Sequence, residues 1–400
     1  MRKRSTGRSR HVRRGALLDS AAAMRALSIT RGTLYVYVSR GLVRSVPHPK
    51  VAKARLYAAA DIVALIDRRA RMRRPRAAAA TALDYGLPVL KSAITHFEDD
   101  RCFYRDREAV AFSRTATLED AARLLWNSGD ADPFVDVRFD PCGVEGWPAV
   151  ARASRLVSAT SRGSCLLSLL PENEPTASPD FELAAQLVTA LVVAIAGIEG
   201  AYKGPVHRAI ATAWRRPKAA EVIRRALVLL ADHELNASTF AVRVVASTGA
   251  SLTSCVIAGL TAMSGPKHGG ATERLRGMLA EIDASGDAVP AISARLSRGE
   301  AIPGFGNSVY RDADPRGAEL VSAVRLDVTL AATLKAARAM AGLEPNVDFG
   351  LLALERVFDL PKGAALALFA IGRSAGWIAH AFEQRATGTL IRPRAEFVAS

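Results

Sequence analysis

Six segments of the sequence carry residue types that could grip an anion and move a proton. His233 stands in ALVLLADHELNAST, between two helical stretches, and His268 stands in a Gly-Pro-Lys-His-Gly-Gly turn that leads into a helix. Glycines beside His268 let the backbone approach a ligand closely. A helix start also disfavours imidazolium, so the ring there offers a neutral hydrogen-bond donor. The Gly-rich loop IPGFGNSVYRDADPR, Ile302 to Arg316, carries two arginines, and NVDFG presents the Asp348 carboxylate just after a loop. LFAIGRSAGWIAH puts Arg373 inside an apolar helix, and IRPRAEF follows with Arg392 and Arg394. An arginine in such a helix needs an anion, internal or bound. Taken singly, each segment is weak evidence for a site.

The elements that must position these residues are mostly helices. Leu320, Val324 and Val328 recur every four residues, and Glu182 to Ile198 is apolar nearly all round, as a buried helix would be. FVDVRF, Phe134 to Phe139, is the one clear strand-like run. At 400 residues with 50% hydrophobic and 23% charged side chains, the chain can bury a large core and is not a mostly disordered protein. The apolar run Leu187 to Ile198 is too short to span a bilayer, and Arg373 and His380 interrupt the longer one after Pro361. The basic N-terminus lacks the apolar core of a secretory signal. Cys102, Cys142, Cys165 and Cys255 form no CxxC and no metal-ligand spacing. A cytoplasmic protein with no zinc site and no disulfide framework is therefore expected.

Charge is concentrated at one end. Residues 1–76 hold twenty of the 54 Lys and Arg but three of the 39 Asp and Glu, which leaves the remainder near neutral at 34 against 36. A basic module of this size most often meets a polyanion, usually nucleic acid. Leu17 to Leu27 is an Ala-rich helical stretch with Asp19 or Ser20 as cap, and Arg31 to Arg40 is a second one that ends at Gly41. VRSVPHPKVAKARLY follows as a wing-like segment, then a helix from Ala59 to Arg73. This order resembles the MerR/excisionase-type winged helix-turn-helix family. The resemblance implies that Arg31, Thr33, Tyr35 and Arg40 face DNA while Lys50, Lys53 and Arg55 meet phosphates. A degenerate module kept for packing or dimerisation stays open as the alternative. An Arg/Pro/Ala junction near residues 74–82 closes the module.

Downstream, ADHELNAST, GPKHGGA, PGFGNSVYRDADPR, NVDFG and LFAIGRSAGWIAH with RPR occur in the order of the signature segments of citrate synthase. The body resembles that family from about Leu183 to Arg394. The resemblance implies an all-α dimer with a large domain (77–269 and 354–400) and a small domain (270–353). A winged helix-turn-helix domain (15–76) and a disordered basic arm (1–14) would precede it. By position, the family's roles fall on His233 and Asn236 for oxaloacetate, His268 for the enol of acetyl-CoA, and Asp348 for the methyl proton. Arg311 and Arg373 would grip carboxylates, and Arg392 would reach the neighbouring subunit's site. Pro303, Gly304, Phe305 and Gly306 would meet the adenine of coenzyme A. The resemblance also implies an acyl-CoA co-substrate, no bound cofactor, no metal and no membrane.

Two positions depart from the family pattern. Asn307 stands where the family normally has histidine, the donor to the ketone oxygen of oxaloacetate. An asparagine amide still donates a hydrogen bond, yet it carries no positive charge and transfers no proton. Slower condensation, a different 2-oxoacid or acyl-CoA (2-methylcitrate synthase among the alternatives), and a DNA-binding regulator with a metabolite-sensing body are the readings this leaves. Lys267 places an extra cation beside His268, either near a coenzyme A phosphate or simply in solvent.

Overall fold

The computed structural model describes residues 17–27, 29–30, 34, 37–38, 42–48, 51, 54–63, 65, 90–172, 178–307, 309–310, 312–395 and 397. The basic arm 1–14, the junction 74–82, Arg31, Thr33, Tyr35, Arg40, Lys50, Lys53 and Arg311 lie outside the described residues. The chain forms two compact units, 1–91 and 92–400.

In the first unit, β1 (Leu17–Leu18) leads into α1 (Ser20–Leu27), and β2 (Ser45–Pro47) pairs with β3 (Arg55–Ala58). The strand order is β1-β3-β2, all antiparallel, so Leu17 and Leu18 belong to a sheet edge rather than to the helix expected there. Asp19 caps α1, accepting from the Ala22 N–H at 2.7 Å. The wing-like segment is the β2–β3 hairpin. Residues 59–63 are helical. Asp61 is taken up by Arg44, which donates to it through its backbone N–H, Nε and Nη2, each at 2.9 Å. Ala23, Leu27, Leu34, Val43, Tyr57 and Ile62 make the core of this unit.

The second unit opens on an antiparallel sheet, β4 (Thr95–Glu98), β5 (Arg101–Tyr104) and β6 (Arg107–Glu108). Asp99 and Asp100 between the first two strands both have positive φ, 48° and 61°, which suits a tight two-residue hairpin. The strand expected at Phe134 to Phe139 does not form. Only Phe139 bridges, to Tyr202, and residues 133–136 make turns instead. Alternation alone cannot specify a strand when no neighbour offers an edge.

The rest is helix. In order come α2 (Ala109–Ser113), α3 (Leu118–Trp126), α4 (Trp147–Ala153), α5 (Ala159–Leu167), α6 (Phe181–Ala196), α7 (Val206–Ala213), α8 (Ala220–Leu230) and α9 (Ala237–Ser247). Then follow α10 (Leu252–Met263), α11 (Ala271–Ser285), α12 (Ala288–Ser297), α13 (Pro315–Ser322), α14 (Val328–Ala341), α15 (Val347–Val357) and α16 (Ala364–Thr387). The fold of this unit is all-α apart from the small sheet.

α16 is the axis of the core. Helices α3, α5, α6, α8, α9, α10 and α15 pack on it, and nearly all of its residues are buried. By length and apolar composition it could cross a membrane, but here it is the buried core helix of a packed domain. Its contact with the turn after α8 demands glycine at 376. A Cβ there would stand 2.3 Å from Asp232 Oδ1 and 2.4 Å from the Ala231 carbonyl. Helices α11, α12 and α14 pack on one another, and α11 and α13 pack on α15.

Candidate active site

Two groups of side chains converge on the turns around His233 and Asp348. The first is anchored on α8, α9 and α16. Helix α8 ends at Leu230, and the Tyr104 hydroxyl from β5 lies 2.9 Å from the Val228 carbonyl, 3.1 Å from Leu229 and 3.3 Å from Asp232. Arg373, only 1% exposed on α16, donates from Nε to the Leu230 carbonyl at 2.7 Å. Its Nη2 is buried with no partner among the described residues, so the guanidinium is aimed inward with a donor to spare. The turn then runs through buried Asp232, which faces His380 Nε2 at 3.4 Å, to His233, and reverses at Glu234 with φ 54°. Burial pushes the Asp232 carboxyl up, but His380 and Arg373 outweigh it and hold it below the usual range.

His268 sits in the turn before α11, with Nε2 2.8 Å from Ser238 Oγ on α9. That hydroxyl also accepts from Trp377 Nε1 at 3.1 Å and lies 2.7 Å from Asn236 Oδ1. A hydroxyl has one hydrogen to give. With Trp377 donating to the oxygen, the hydrogen goes to Asn236 Oδ1 or to His268 Nε2, and in the second case the ring keeps its own proton on Nδ1. Asn236 Oδ1 already caps α9, accepting from Ser238 and Thr239 N–H at 3.1 Å each, while its Nδ2 is buried and unpartnered among the described residues. Burial, then the Arg373 charge, lowers the His268 imidazole to about 4, so the ring is neutral at ordinary pH.

The second group is fastened through the backbone. Asn346 caps α15 by accepting from Asp348 N–H at 3.0 Å, donates from Nδ2 to the Gly306 carbonyl at 3.0 Å, and donates from its backbone N–H to the Gly304 carbonyl at 2.9 Å. The Gly306 N–H donates to the Glu344 carbonyl at 2.9 Å, and the Phe305 and Phe349 rings meet at 4.9 Å. The Gly-rich loop and the helix start that carries Asp348 are thus stitched into one piece.

Asp314, 2% exposed, extends it by accepting from Arg316 Nε and Nη2, both at 2.9 Å, and from the Val347 N–H at 3.1 Å. Helix α13 approaches so closely that a Cβ at Gly317 would stand 2.4 Å from the Asn346 carbonyl carbon. Asp348 is half-buried, with Oδ1 sealed off and unpartnered among the described residues. A helix start favours the carboxylate. Burial wins nonetheless, with Asp314 adding to it against Arg316 and Arg274, and the carboxyl is pushed up to about 7.

The two groups sense each other. Burial first, then the charges of Arg316 and Arg373, hold His233 well below the usual imidazole range. Two guanidinium groups, two neutral imidazoles and one carboxyl poised near neutrality can bind a small dianion and abstract a weakly acidic proton.

The sequence model of the family described as "Citrate synthase, C-terminal domain" matches residues 146–394. The chain belongs to the citrate synthase family. It is 37% identical over 191 residues to citrate synthase 2 of Bacillus subtilis, covering 45% of this chain and 51% of that one. It is 35% identical over 188 residues to 2-methylcitrate synthase of Shewanella oneidensis, covering 44% and 50%. The chain thus spans about half the length of the curated relatives it matches. Among solved structures, citrate synthase from Thermotoga maritima is similar with a TM-score of 0.67 at 25% identity, covering 79% of this chain and 94% of that one.

Of the family positions expected from sequence, His233, Asn236, His268, Asp348 and Arg373 gather here, with Pro303 to Gly306 as the loop beside them. Arg392 is exposed on the segment after α16, which is pinned by the Ile391 N–H donating to Ser247 Oγ at 3.1 Å. Asn307 is exposed, and its Oδ1 accepts from Val309 N–H at 3.0 Å and from Tyr310 N–H, which leaves Nδ2 as its donor. Lys267 is exposed.

Sequence reading missed Asp232, Ser238, Trp377, Tyr310, Asp314 and Arg316. For Arg316 a signal existed. Of the two arginines in the Gly-rich loop, the second follows Asp-Pro at a helix start, where Asp314 caps α13 and holds the guanidinium. In the first unit, Arg55 is exposed and turned back across the hairpin, donating to Ser45 Oγ at 2.8 Å and to the Ser45 carbonyl at 3.0 Å.

Proposed function

We propose that this chain condenses a short acyl-CoA, acetyl-CoA first, with oxaloacetate to give citrate and coenzyme A. The Asp348 carboxylate takes a proton from the thioester methyl while His268, in the tautomer where Ser238 gives its hydrogen to Nε2, donates from Nδ1 to the thioester oxygen. The enol carbon attacks the ketone carbon of oxaloacetate, whose carboxylates lie on Arg316 and Arg373 beside His233. The ketone oxygen takes up a proton from water while protonated Asp348 returns its proton to solvent, giving citryl-CoA, and a further water then cleaves the thioester to citrate and free coenzyme A. Asn307 Nδ2 donates to the developing alkoxide without transferring a proton. Asp348 is the observation that carries this reading: an acid poised at about 7 with a buried oxygen unpartnered among the described residues, in the field of the same arginine that reaches His233. Exposed Arg392 beyond α16 supports a dimer in which it serves the partner's site, with 270–353 as the smaller domain that closes.

The test is coenzyme A release from acetyl-CoA and from propionyl-CoA, with and without oxaloacetate, in the native chain and in Asn307→His. Oxaloacetate-dependent release from the native chain is expected, and a faster rate in Asn307→His. Preference for propionyl-CoA would make it a 2-methylcitrate synthase. Silence in the native chain with activity in the variant would point to a sensor.

The charge of residues 1–76 favours a second role alongside the first, binding of duplex DNA through the first unit. Affinity of the full chain for a duplex should fall steeply with salt and collapse in Arg31→Ala/Arg40→Ala. Equal affinity for any polyanion would leave a non-specific basic arm.

A further inference from the structure

Tyr310 has no part in the chemistry above, yet it is the direct neighbour of His233. Its hydroxyl lies 2.9 Å from His233 Nε2 and has no other partner among the described residues. The placement is over-determined. Asn307 Oδ1 holds the Tyr310 backbone N–H, the Arg316 guanidinium lies 5.7 Å from the centre of the Tyr310 ring, and Phe97 on β4 meets both rings edge-on, at 5.0 Å from His233 and 5.6 Å from Tyr310.

The direction of the hydrogen bond follows from the chemistry of the two groups. A phenol is a far stronger donor than a neutral imidazole N–H, and an imidazole nitrogen is a far stronger acceptor than a phenol oxygen. Burial first, then the Arg316 and Arg373 charges, oppose a protonated ring at His233, and burial keeps the Tyr310 phenol protonated. His233 therefore holds one ring hydrogen, and Nε2 is the nitrogen that accepts.

We propose that Tyr310 is a positioning residue: its O–H on His233 Nε2 fixes the imidazole with its proton on Nδ1, so that the ring presents an N–H donor to the carbonyl or carboxylate oxygens of a 2-oxo diacid. The substrate named here rests on the condensation reading above; the tautomer does not. The arrangement also gives Asn307 a task that histidine in its place would not perform in the same way. Its carbonyl oxygen closes the turn that sets Tyr310 on His233.

The experiment is a long-range 1H–15N spectrum of the full chain labelled at histidine nitrogen, with the His233 lines assigned by their loss in His233→Gln. The expected native pattern has the proton on Nδ1, and Tyr310→Phe should shift it toward a mixture of both tautomers. The same variant should raise the oxaloacetate KM about tenfold, the worth of one hydrogen bond, with a smaller effect on kcat. A native ring protonated on Nε2, or an unchanged Nδ1–H pattern in Tyr310→Phe, would overturn the inference. If oxaloacetate leaves the native His233 lines unmoved, the condensation reading fails while the tautomer still decides the role of Tyr310.

Discussion

His268 and Arg373 are held by groups on the packed helices α8, α9 and α16, whereas Asp348 and Arg316 are held by a loop sewn to two helix starts. On the histidine side, Trp377, Ser238 and the Leu230 carbonyl fix rings and guanidinium through regular, fully packed helices. On the base side, Asn346, Asp314, Gly304 and Gly306 do the fixing, largely through backbone groups. Of the two departures from the family pattern, Asn307 lies on the second side and Lys267 in the His268 turn on the first. A site assembled this way can change a loop residue without disturbing the core, because the loop carries its own bonds.

The contrast can be broken or sharpened by three substitutions. Asp348→Asn has the largest effect, a loss of about 10³-fold or more in condensation, since it removes the base itself. It should also raise stability. The folded carboxyl at about 7 stands above its unfolded value near 3.8, so the native chain loses stability as pH rises through that window. Asparagine escapes that loss, and thermal melting at pH 8 should show a gain of about 1–2 kcal/mol, reduced by partial exposure, with none below pH 4. A variant melting lower than the native chain at pH 8 would contradict a strained acid at this position.

Gly317→Ala comes next. The new methyl meets backbone atoms of residues 345–346, which cannot rotate away, so α13 and the start of α15 must separate. A cost of about 3 kcal/mol in melting and about 10²-fold in kcat/KM is expected, the latter from displacement of Asp348. Ser238→Ala should be mildest, about tenfold in kcat, because His268 loses an orienting partner but keeps its place. Should Ser238→Ala cost more activity than Gly317→Ala, the backbone-held half would not be the more sensitive one.

The histidine half was largely legible in the sequence. His233, His268 and Arg373 lie in segments with distinctive neighbours, as does Asp348 on the base side, and an apolar helix carrying one arginine announces a buried cation. What spacing could not show is who holds whom. Ser238 and Trp377 look like ordinary helix residues until α9 and α16 cross. Arg311 and Arg316 are both arginines of one loop; Arg311 lies outside the described residues, and what marks Arg316 is the Asp314 cap that holds it. The hairpin at 95–108 escaped because its turn is Asp-Asp rather than a glycine pair, and its strands are short. The strand anticipated at Phe134 failed for the opposite reason, alternation with no partner edge.

Helix α16 also constrains how the chain is made. Seven earlier helices bury their apolar faces against it, yet it is synthesised after all of them. Until residue 387 has left the ribosome, these helices can pack on one another, as α9 does on α10 and α5 on α6, but the faces that meet α16 stay open and Arg373 and Trp377 are not in place. The second unit must therefore complete its core late, after a period in which much apolar surface is exposed to aggregation or to chaperones.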